Sequence, residues 1–306
     1  ERLLKASLLP VFFGVCCSQQ ITSSDLLASM LPGVRHSHCA VASLLLLVPL
    51  TSSDSVRGLA YISALALLSL ACGFALVFWY GFSEFGVPRV PRALAEMPDS
   101  NGLSDFYGVA AFSFGFQSIT LSIRDGMRKP AEAPLALGCA TIVVVAAYCA
   151  IGLVGAWLFW SAGVEQLITL NLPELAPLAV IVKLCTALTA LLSYPITFTP
   201  FVSLVLAQFG ARKPPAWAAK ALCLLVLALS TTVASVTTQF GVAAGVIGCL
   251  SGIYAQILPP LIHYRLVARS ASRRAVDLAF VALGVLAALY PASLLASQLL
   301  RGAEHR

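Results

Sequence analysis

The stretch LAYISALALLSLACGFALVFWYGF, residues 59–82, decides the fold class of this chain, because it contains no charged side chain. An α-helix rises 1.5 Å per residue, so about 20 consecutive apolar residues span the hydrocarbon core of a bilayer. Further uncharged stretches of this kind lie at residues 135–160, 184–208 and 278–300. The sequence therefore predicts an all-α integral membrane protein.

The overall composition supports the same class. Of 306 residues, 59% are hydrophobic and 10% are charged, whereas a soluble domain carries about 25% charged residues. The net charge of +6 comes from Lys and Arg between apolar stretches, so it does not indicate a nucleic-acid partner. The nine cysteines show no disulfide or metal spacing. Motifs for a catalytic serine, a zinc protease or a phosphate loop are missing from the sequence, so we expect neither an enzyme nor a cofactor or metal site.

Apolar segments predict about nine membrane spans. They cover residues 3–21, 39–50, 59–82, 106–123, 135–160, 175–208, 217–237, 241–263 and 276–300. The first is interrupted by Pro10 and followed by polar residues, and the second is short, with His36 and His38 in the loop before it. We treat residues 1–306 as one transmembrane domain.

Loop charges predict the orientation, because cytoplasmic loops collect Lys and Arg. Basic residues occur at 124–129, 212–220 and 265–274, in loops that are two spans apart, whereas the loops at 161–174 and 238–240 contain none. The basic loops are therefore expected in the cytoplasm and the C-terminus outside or in a lumen. Arg89 and Arg92 lie on the opposite side, but neighbouring acidic residues balance them.

Two segments carry most of the candidate site residues. Residues 106–123 combine Gly108, Gly115 and Gln117 with hydroxyls and Phe, a pattern typical of the discontinuous helices of transporters or of a close helix interface built from small residues. Residues 193–200, SYPITFTP, place two prolines in one span. Prolines free backbone carbonyls. Together with nearby hydroxyls, these carbonyls would form a cation or substrate site. The alternative is an ordinary proline kink whose hydroxyls bond to their own backbone.

Isolated ionisable residues leave similar alternatives open. Lys183 lies early in its span, so it is either functional or extends to the membrane interface. Asp125 is interpreted as part of a topological anchor or as a gating charge. His263, beside Tyr264 and Arg265, is interpreted as interfacial instead of as part of a proton relay.

Several motifs together resemble the amino acid/auxin permease family. Residues 111–130, AFSFGFQSITLSIRDGMRKP, are similar to its sixth helix and following loop, and residues 167–173, LITLNLP, to an outside loop. Residues 192–200 resemble its eighth helix, and residues 247–266 its tenth. Pro49 and Arg57 fit its fourth-to-fifth helix turn. The order and spacing agree from Pro49 to Leu266.

The resemblance implies a LeuT-like bundle of eleven helices with an inverted repeat, of which residues 106–264 would form the second copy. It implies secondary transport of amino acids coupled to H⁺ or Na⁺, in the plasma membrane or an endolysosomal or vacuolar membrane. The expected partners are a small-molecule amino acid and lipid, with no obligate protein partner. The predicted substrate-binding residues are Phe112, Ser113, Phe114, Gln117, Thr189 and Ser193, and the predicted ion-coupling residues are Ser193 and Thr197.

The chain departs from the family plan at its start. It begins at Glu1, near the family's third helix, so about nine of the eleven helices are expected. The first helix, which in the family supplies half of the site, has no counterpart, and we interpret the sequence as an N-terminally truncated fragment. The alternatives are an amino-acid sensor of transporter type or a non-transporting membrane protein without the first two helices.

Overall fold

A computed structural model describes most of the chain. The described residues are 2–52, 56–86, 100–113, 115, 120–160, 163–165, 167–172, 177–208, 215–237, 240–252, 256–267 and 270–304. Within these ranges all regular secondary structure is helical. The helices are α1 (Arg2–Met30), α2 (His36–Thr51), α3 (Val56–Phe85), α4 (Ser100–Ser113), α5 (Thr120–Gly126), α6 (Ala133–Phe159), α7 (Pro177–Gln208), α8 (Ala216–Val236), α9 (Phe240–Gly252), α10 (Leu258–Leu266) and α11 (Ala271–Glu304).

Each predicted apolar segment coincides with one helix or with a pair of consecutive helices. Four segments of the described chain are long and apolar enough to cross a membrane, namely Ala64–Phe85, Pro130–Phe159, Pro177–Gln208 and Trp217–Val236. Their outward faces are apolar, as shown by the exposed side chains of Ile142, Val143 and Leu153 on α6. Exposed aliphatic side chains at this density suit lipid as the surrounding solvent.

The beginning of the chain corrects two expectations. α1 passes through Pro10 and continues to Met30 instead of ending near residue 21. The polar side chains that suggested an end, including Ser18 and Gln20, are buried within the protein. α2 begins at His36, so His36 and His38 lie in its first turn and not in a loop.

The described chain divides into two compact units. Unit 1 comprises residues 1–15, 97–121 and 241–306, and unit 2 comprises residues 16–96 and 122–240. In unit 2, α3 packs along α7, α2 packs against α7 and α8, and α3 also contacts α6. In unit 1, α4 and α10 pack on α11.

The core of unit 2 joins α3, α6 and α7. Its buried members are Val77, Leu158, Phe159, Leu172, Ala179 and Val182. Two edge-to-face ring pairs, Phe82 with Trp157 and Phe85 with Phe159, extend it along α3 and α6. Because lipid tails are as apolar as these side chains, helix association here depends on close packing more than on removal of apolar surface from water.

Unit 1 relies on glycine for its close contacts. A Cβ at Gly14 would lie 2.7 Å from Cγ1 of Ile247, so the start of α1 packs directly on α9. A Cβ at Gly284 would lie 3.0 Å from Cβ of Gln256, which brings α11 against the residues that precede α10. Small residues at helix interfaces allow backbones to approach closely, as is common in membranes.

Candidate functional site

The predicted site residues of the segment 106–123 lie in unit 1 at the end of α4. The described part of this predicted span comprises α4 up to Ser113 and α5 from Thr120 onward. Phe112 and Ser113 are half-buried, and the Ser113 hydroxyl donates to the carbonyl of Val109 at 2.8 Å. Phe114 and Gln117 lie outside the described residues.

Gly108 shows why this segment is rich in small residues. A Cβ at Gly108 would lie 2.8 Å from Cα of Gly245, and a Cβ at Gly248 would overlap the carbonyl group of Gly108. The two backbones of α4 and α9 therefore touch. At Gly108 the interpretation as a close helix interface is confirmed.

Polar side chains reinforce the contact between α4 and α9. The Ser251 hydroxyl lies 3.0 Å from the carbonyl oxygen of Gly248 and 3.3 Å from that of Ala111, and it donates to both. The Tyr107 hydroxyl donates to the side-chain oxygen of Gln256 at 2.9 Å. These bonds hold the end of α4 in place and thereby position Phe112 and Ser113.

The second group of predicted site residues lies in unit 2 on α7. Thr189 donates to the carbonyl of Cys185 at 2.8 Å and lies 3.1 Å from that of Ala66 on α3. Its hydroxyl is thus engaged in the packing of α3 on α7. This geometry favours a structural role for Thr189 over direct contact with a bound substrate.

Ser193 and Thr197 differ from Thr189 in their hydrogen bonding. Both are half-buried, and neither hydroxyl bonds to another of the described residues. Pro195 lies between them inside α7, so the carbonyl of Leu191, four residues earlier, has no backbone N–H from that position. Two uncommitted hydroxyls and a freed carbonyl within seven residues provide oxygen ligands of the kind that a small cation or a substrate ammonium group binds.

Lys183 is more deeply placed than an interfacial lysine. It lies in the second turn of α7 with 1% of its surface exposed, and it directly follows the core residue Val182. A side chain that extends to the membrane surface would expose its ammonium group. The burial of Lys183 therefore argues against extension to the interface, and its functional role stays a prediction.

The sequence analysis missed a polar seam in unit 2. The Gln20 side-chain amide on α1 donates to the Thr231 hydroxyl on α8 at 2.9 Å, and the hydroxyls of Tyr194 on α7 and Ser230 on α8 lie 2.8 Å apart. All four side chains are buried. The sequence shows Gln20 only as part of a polar run, because the residues of α1 alone do not indicate which residue of another helix it bonds to.

Two histidine–carboxylate pairs were also missed. His36 and Asp25 in unit 2 approach to 2.9 Å, and His263 and Asp277 in unit 1 approach to 2.7 Å. The second pair joins α10 to α11, and the interfacial position of His263 stays a prediction. Each pair links residues at least eleven positions apart, which sequence spacing does not reveal.

The arrangement suits binding more than bond-breaking chemistry. Within the part of the chain that the structure describes, no group of three or more His, Cys, Asp or Glu side chains could hold a metal ion. What the described helices offer is buried hydroxyl, amide and carbonyl groups inside an apolar exterior. Such groups can replace the hydration shell of a polar solute as it passes through a bilayer.

Comparison with known proteins decides the family. The profile described as "Transmembrane amino acid transporter protein" matches residues 2–295. This chain belongs to that family. The resemblance found in the sequence is thus confirmed, and the chain is a multi-pass membrane protein.

Individual relatives of this family member are more distant. It is 26% identical over 263 residues to the protein named vacuolar amino acid transporter 3 of Schizosaccharomyces pombe, and the match covers 83% of this chain and 40% of that relative. It is 24% identical over 178 residues to vacuolar amino acid transporter 4 of Saccharomyces cerevisiae, covering 56% of this chain and 24% of the relative. The chain thus spans less than half the length of these two relatives.

Proposed function

We propose that this chain belongs to a secondary transporter that moves amino acids by alternating access around a site near the bilayer midplane. One observation carries the proposal, namely that the family match covers residues 2–295 of a chain whose long apolar helices bury polar groups. The relatives named as vacuolar amino acid transporters support this class of substrate and suggest a vacuolar or endolysosomal membrane. Membership of this family speaks against an enzyme.

The fold proposed is a LeuT-like bundle with the basic loops in the cytoplasm. The proline within α7 is a feature that such bundles use at their binding sites. Phe112, Ser113, Phe114 and Gln117 would contact the substrate.

On α7, Ser193 and Thr197 are the proposed ligands of a coupling ion, H⁺ or Na⁺. Their hydroxyls have no bonds to give up among the described residues, so ligand binding there costs no existing interaction. Thr189 remains a proposed substrate contact, although its bonds to Ala66 and Cys185 would have to be released or shared.

Uptake of labelled amino acids into proteoliposomes tests the proposal. The full-length protein should accumulate an amino acid when an H⁺ or Na⁺ gradient is imposed, and should exchange it across the membrane without a gradient. Amino-acid binding without flux would instead indicate a sensor. The absence of both binding and flux would overturn the transport proposal.

Paired variants test the sites. Phe112→Ala should weaken substrate affinity, whereas Phe106→Ala on the same helix, where the side chain is 70% exposed, should not. Ser193→Ala should raise the cation concentration needed for half-maximal uptake, whereas Ser203→Ala, at an exposed position of α7, should leave it unchanged. Equal kinetics within either pair would remove that residue from the site.

A further inference from the structure

The connection between α10 and α11 in unit 1 concentrates positive charge at one point. Four arginines lie within ten residues of the sequence, at positions 265, 269, 273 and 274. The side chains of Arg265, Arg273 and Arg274 are exposed, and Arg269 lies outside the described residues. We call residues 263–277 the arginine corner. A guanidinium group presents its N–H donors in a planar fork that matches phosphate oxygens in pairs, so this choice of base favours a phosphate ligand.

Contacts between the two helices fix the geometry of the arginine corner. Nδ1 of His263 on α10 lies 2.7 Å from Oδ2 of Asp277 on α11. The guanidinium group of Arg274 lies over the ring of Tyr264, 5.9 Å from its centroid, within the range of a cation–π contact. Arg273 precedes Asp277 by four residues, so it lies on the side of α11 that faces α10. The protein therefore holds these arginines beside one another at the same end of the helix pair.

The positive charge of the arginine corner is not balanced within the described part of the protein. Asp277 is the only acidic residue in the sequence of the corner, and its carboxylate, which is 11% exposed, faces His263. Neither Arg265 nor Arg273 forms an ion pair with another of the described residues. Exposed charges without a protein partner attract ions of opposite charge. The guanidinium groups of these two arginines are therefore available to an anion from outside the protein.

Exposed apolar side chains border the arginine corner. Leu266 and Val267, where α10 ends, are exposed, and so are Val276 and Phe280 on α11. In a multi-pass membrane protein such side chains meet lipid. An arginine at the edge of the hydrocarbon extends its guanidinium group towards the lipid headgroups. The corner therefore presents an apolar surface for acyl chains next to a cationic surface for a headgroup, and a free anion would use only the second.

We propose that the arginine corner binds a phospholipid whose headgroup carries a phosphate monoester, such as a phosphorylated inositol lipid. Arg265 belongs to α10 and Arg273 to α11, so one headgroup bound to both arginines joins the two helices. The acyl chains of the same lipid lie against the exposed side chains of Leu266 and Phe280. The bound lipid thereby adds a link between α10 and α11 to the one that His263 and Asp277 already provide.

Charge matching selects this class of lipid. A phosphate monoester carries a charge of about −1.5 to −2 at pH 7, and the phosphodiester of the same headgroup adds a further negative charge. The total approaches the positive charge of the three arginines that the structure describes in the corner. A headgroup with a single net negative charge, such as that of phosphatidylserine, would leave most of this positive charge unmatched.

The orientation expected from the loop charges is consistent with this ligand. Loops rich in Lys and Arg stay in the cytoplasm, so the arginine corner is expected at the cytoplasmic surface of the membrane. Anionic lipids of the cytoplasmic leaflet attract basic segments that lie directly beside the membrane. The proposal concerns lipid binding alone, so it does not depend on whether the protein transports amino acids.

Native mass spectrometry of the full-length protein in detergent measures lipid binding directly. The protein should retain phosphatidylinositol monophosphate at concentrations at which it retains no phosphatidylserine. The soluble inositol bisphosphate headgroup, which offers the phosphates without acyl chains, should bind more weakly than the lipid. Equal retention of phosphatidylserine would show a general attraction of anions and would overturn the site. Equal binding of the soluble headgroup would overturn the assignment to a lipid.

Two double variants locate the binding site. Arg265→Gln with Arg273→Gln changes one exposed side chain on each helix and should weaken retention of phosphatidylinositol monophosphate by at least about tenfold, since one charge-assisted hydrogen bond alone corresponds to about tenfold. Arg128→Gln with Lys129→Gln is the matched control, because it removes the same charge from exposed positions in another basic loop and should leave retention unchanged. Equal retention by the two double variants would overturn the site. If the first double variant unfolds, Arg265→Gln alone should still weaken retention relative to the control.

Thermal unfolding gives a second measure of the same binding. A ligand that binds only the folded protein stabilises it, so phosphatidylinositol monophosphate should raise the Tm of the parent and of the control by the same amount. The rise should be smaller for Arg265→Gln with Arg273→Gln. An equal rise in all three proteins would refute binding at the arginine corner. Because neither measurement involves transport, a protein that binds this lipid but moves no amino acid would refute the proposed function and leave the lipid site intact.

Discussion

The contact between α4 and α9 gives the sharpest prediction about stability, because it joins backbone to backbone. In Gly248→Ala, the new Cβ would lie 2.7 Å from the carbonyl carbon of Gly108 and 3.0 Å from the backbone N of Phe112. Both obstacles belong to the main chain of α4, so no side-chain rotation can relieve the overlap. The new Cβ would also overlap the carbonyl oxygen of Gly108, so the two helices would have to separate by more than about 1 Å to reach ordinary contact distances of about 3.5–4.0 Å.

The cost of this separation can be bounded. Overpacking of a tight interface costs about 1–3 kcal/mol, and the upper end applies when backbone must move. Replacing Gly by Ala inside a helix returns about 1 kcal/mol through helix propensity. The net loss is therefore about 2 kcal/mol, which corresponds to about 30-fold in the folding equilibrium at 1.4 kcal/mol per factor of ten.

Gly245→Ala is the matched control for this prediction. It makes the same substitution one turn earlier on α9, where a Cβ meets no atom within 4 Å among the described residues. Thermal unfolding of both variants in detergent, followed by size-exclusion chromatography, should show a Tm several degrees lower for Gly248→Ala and an unchanged or slightly higher Tm for Gly245→Ala. Equal Tm values for the two variants would show that the backbones do not touch as described.

Three further variants test residues of unit 2. Lys183→Met keeps the approximate length of a side chain that is 1% exposed but removes the ammonium group and its interactions, so Tm should fall as expected for about 1–3 kcal/mol. An unchanged Tm would argue that the ammonium group reaches water. Thr189→Val removes the hydrogen bond to Ala66 and should cost about 1 kcal/mol in thermal unfolding, whereas Thr199→Val at an exposed position should cost nothing measurable. Asn171→Asp keeps the oxygen that accepts from the backbone N–H of Glu165 but loses the amide that donates to a loop carbonyl, so limited proteolysis of the α6–α7 loop should become faster; an unchanged cleavage rate would contradict the loop's dependence on this side chain.

The fold class and the helix positions could be predicted from the sequence because lipid imposes them. A chain that must form all its backbone hydrogen bonds in hydrocarbon forms helices of bilayer length. The composition of residues 59–82 and 135–160 is therefore enough to predict α3 and α6. The predicted end of the first helix near residue 21 was wrong, because its polar side chains were interpreted as the end of a membrane span. Ser18 and Gln20 are buried against other helices, and a single sequence does not show that such partners exist.

The candidate site was predicted unevenly for a related reason. Ser193 and Thr197 could be proposed as ion ligands because prolines mark their helix and free its carbonyls, and that role stays a prediction. The contact of Asp25 with His36 and that of His36 with the Ala234 carbonyl could not be predicted, because the three residues belong to different helices. Contacts among helices far apart in sequence carry that part of the chemistry.

Pro195 also determines where α7 can change its curvature. Away from Pro195 and Pro200, bending this helix stretches or breaks a hydrogen bond, whereas the carbonyl of Leu191 has no amide donor at Pro195 to lose and that of Ile196 has none at Pro200. The portion before that point is anchored to α3 through Thr189. Any bending of α7 would therefore occur at these prolines, while the turns before Pro195 stay in place against α3 and the later turns change direction.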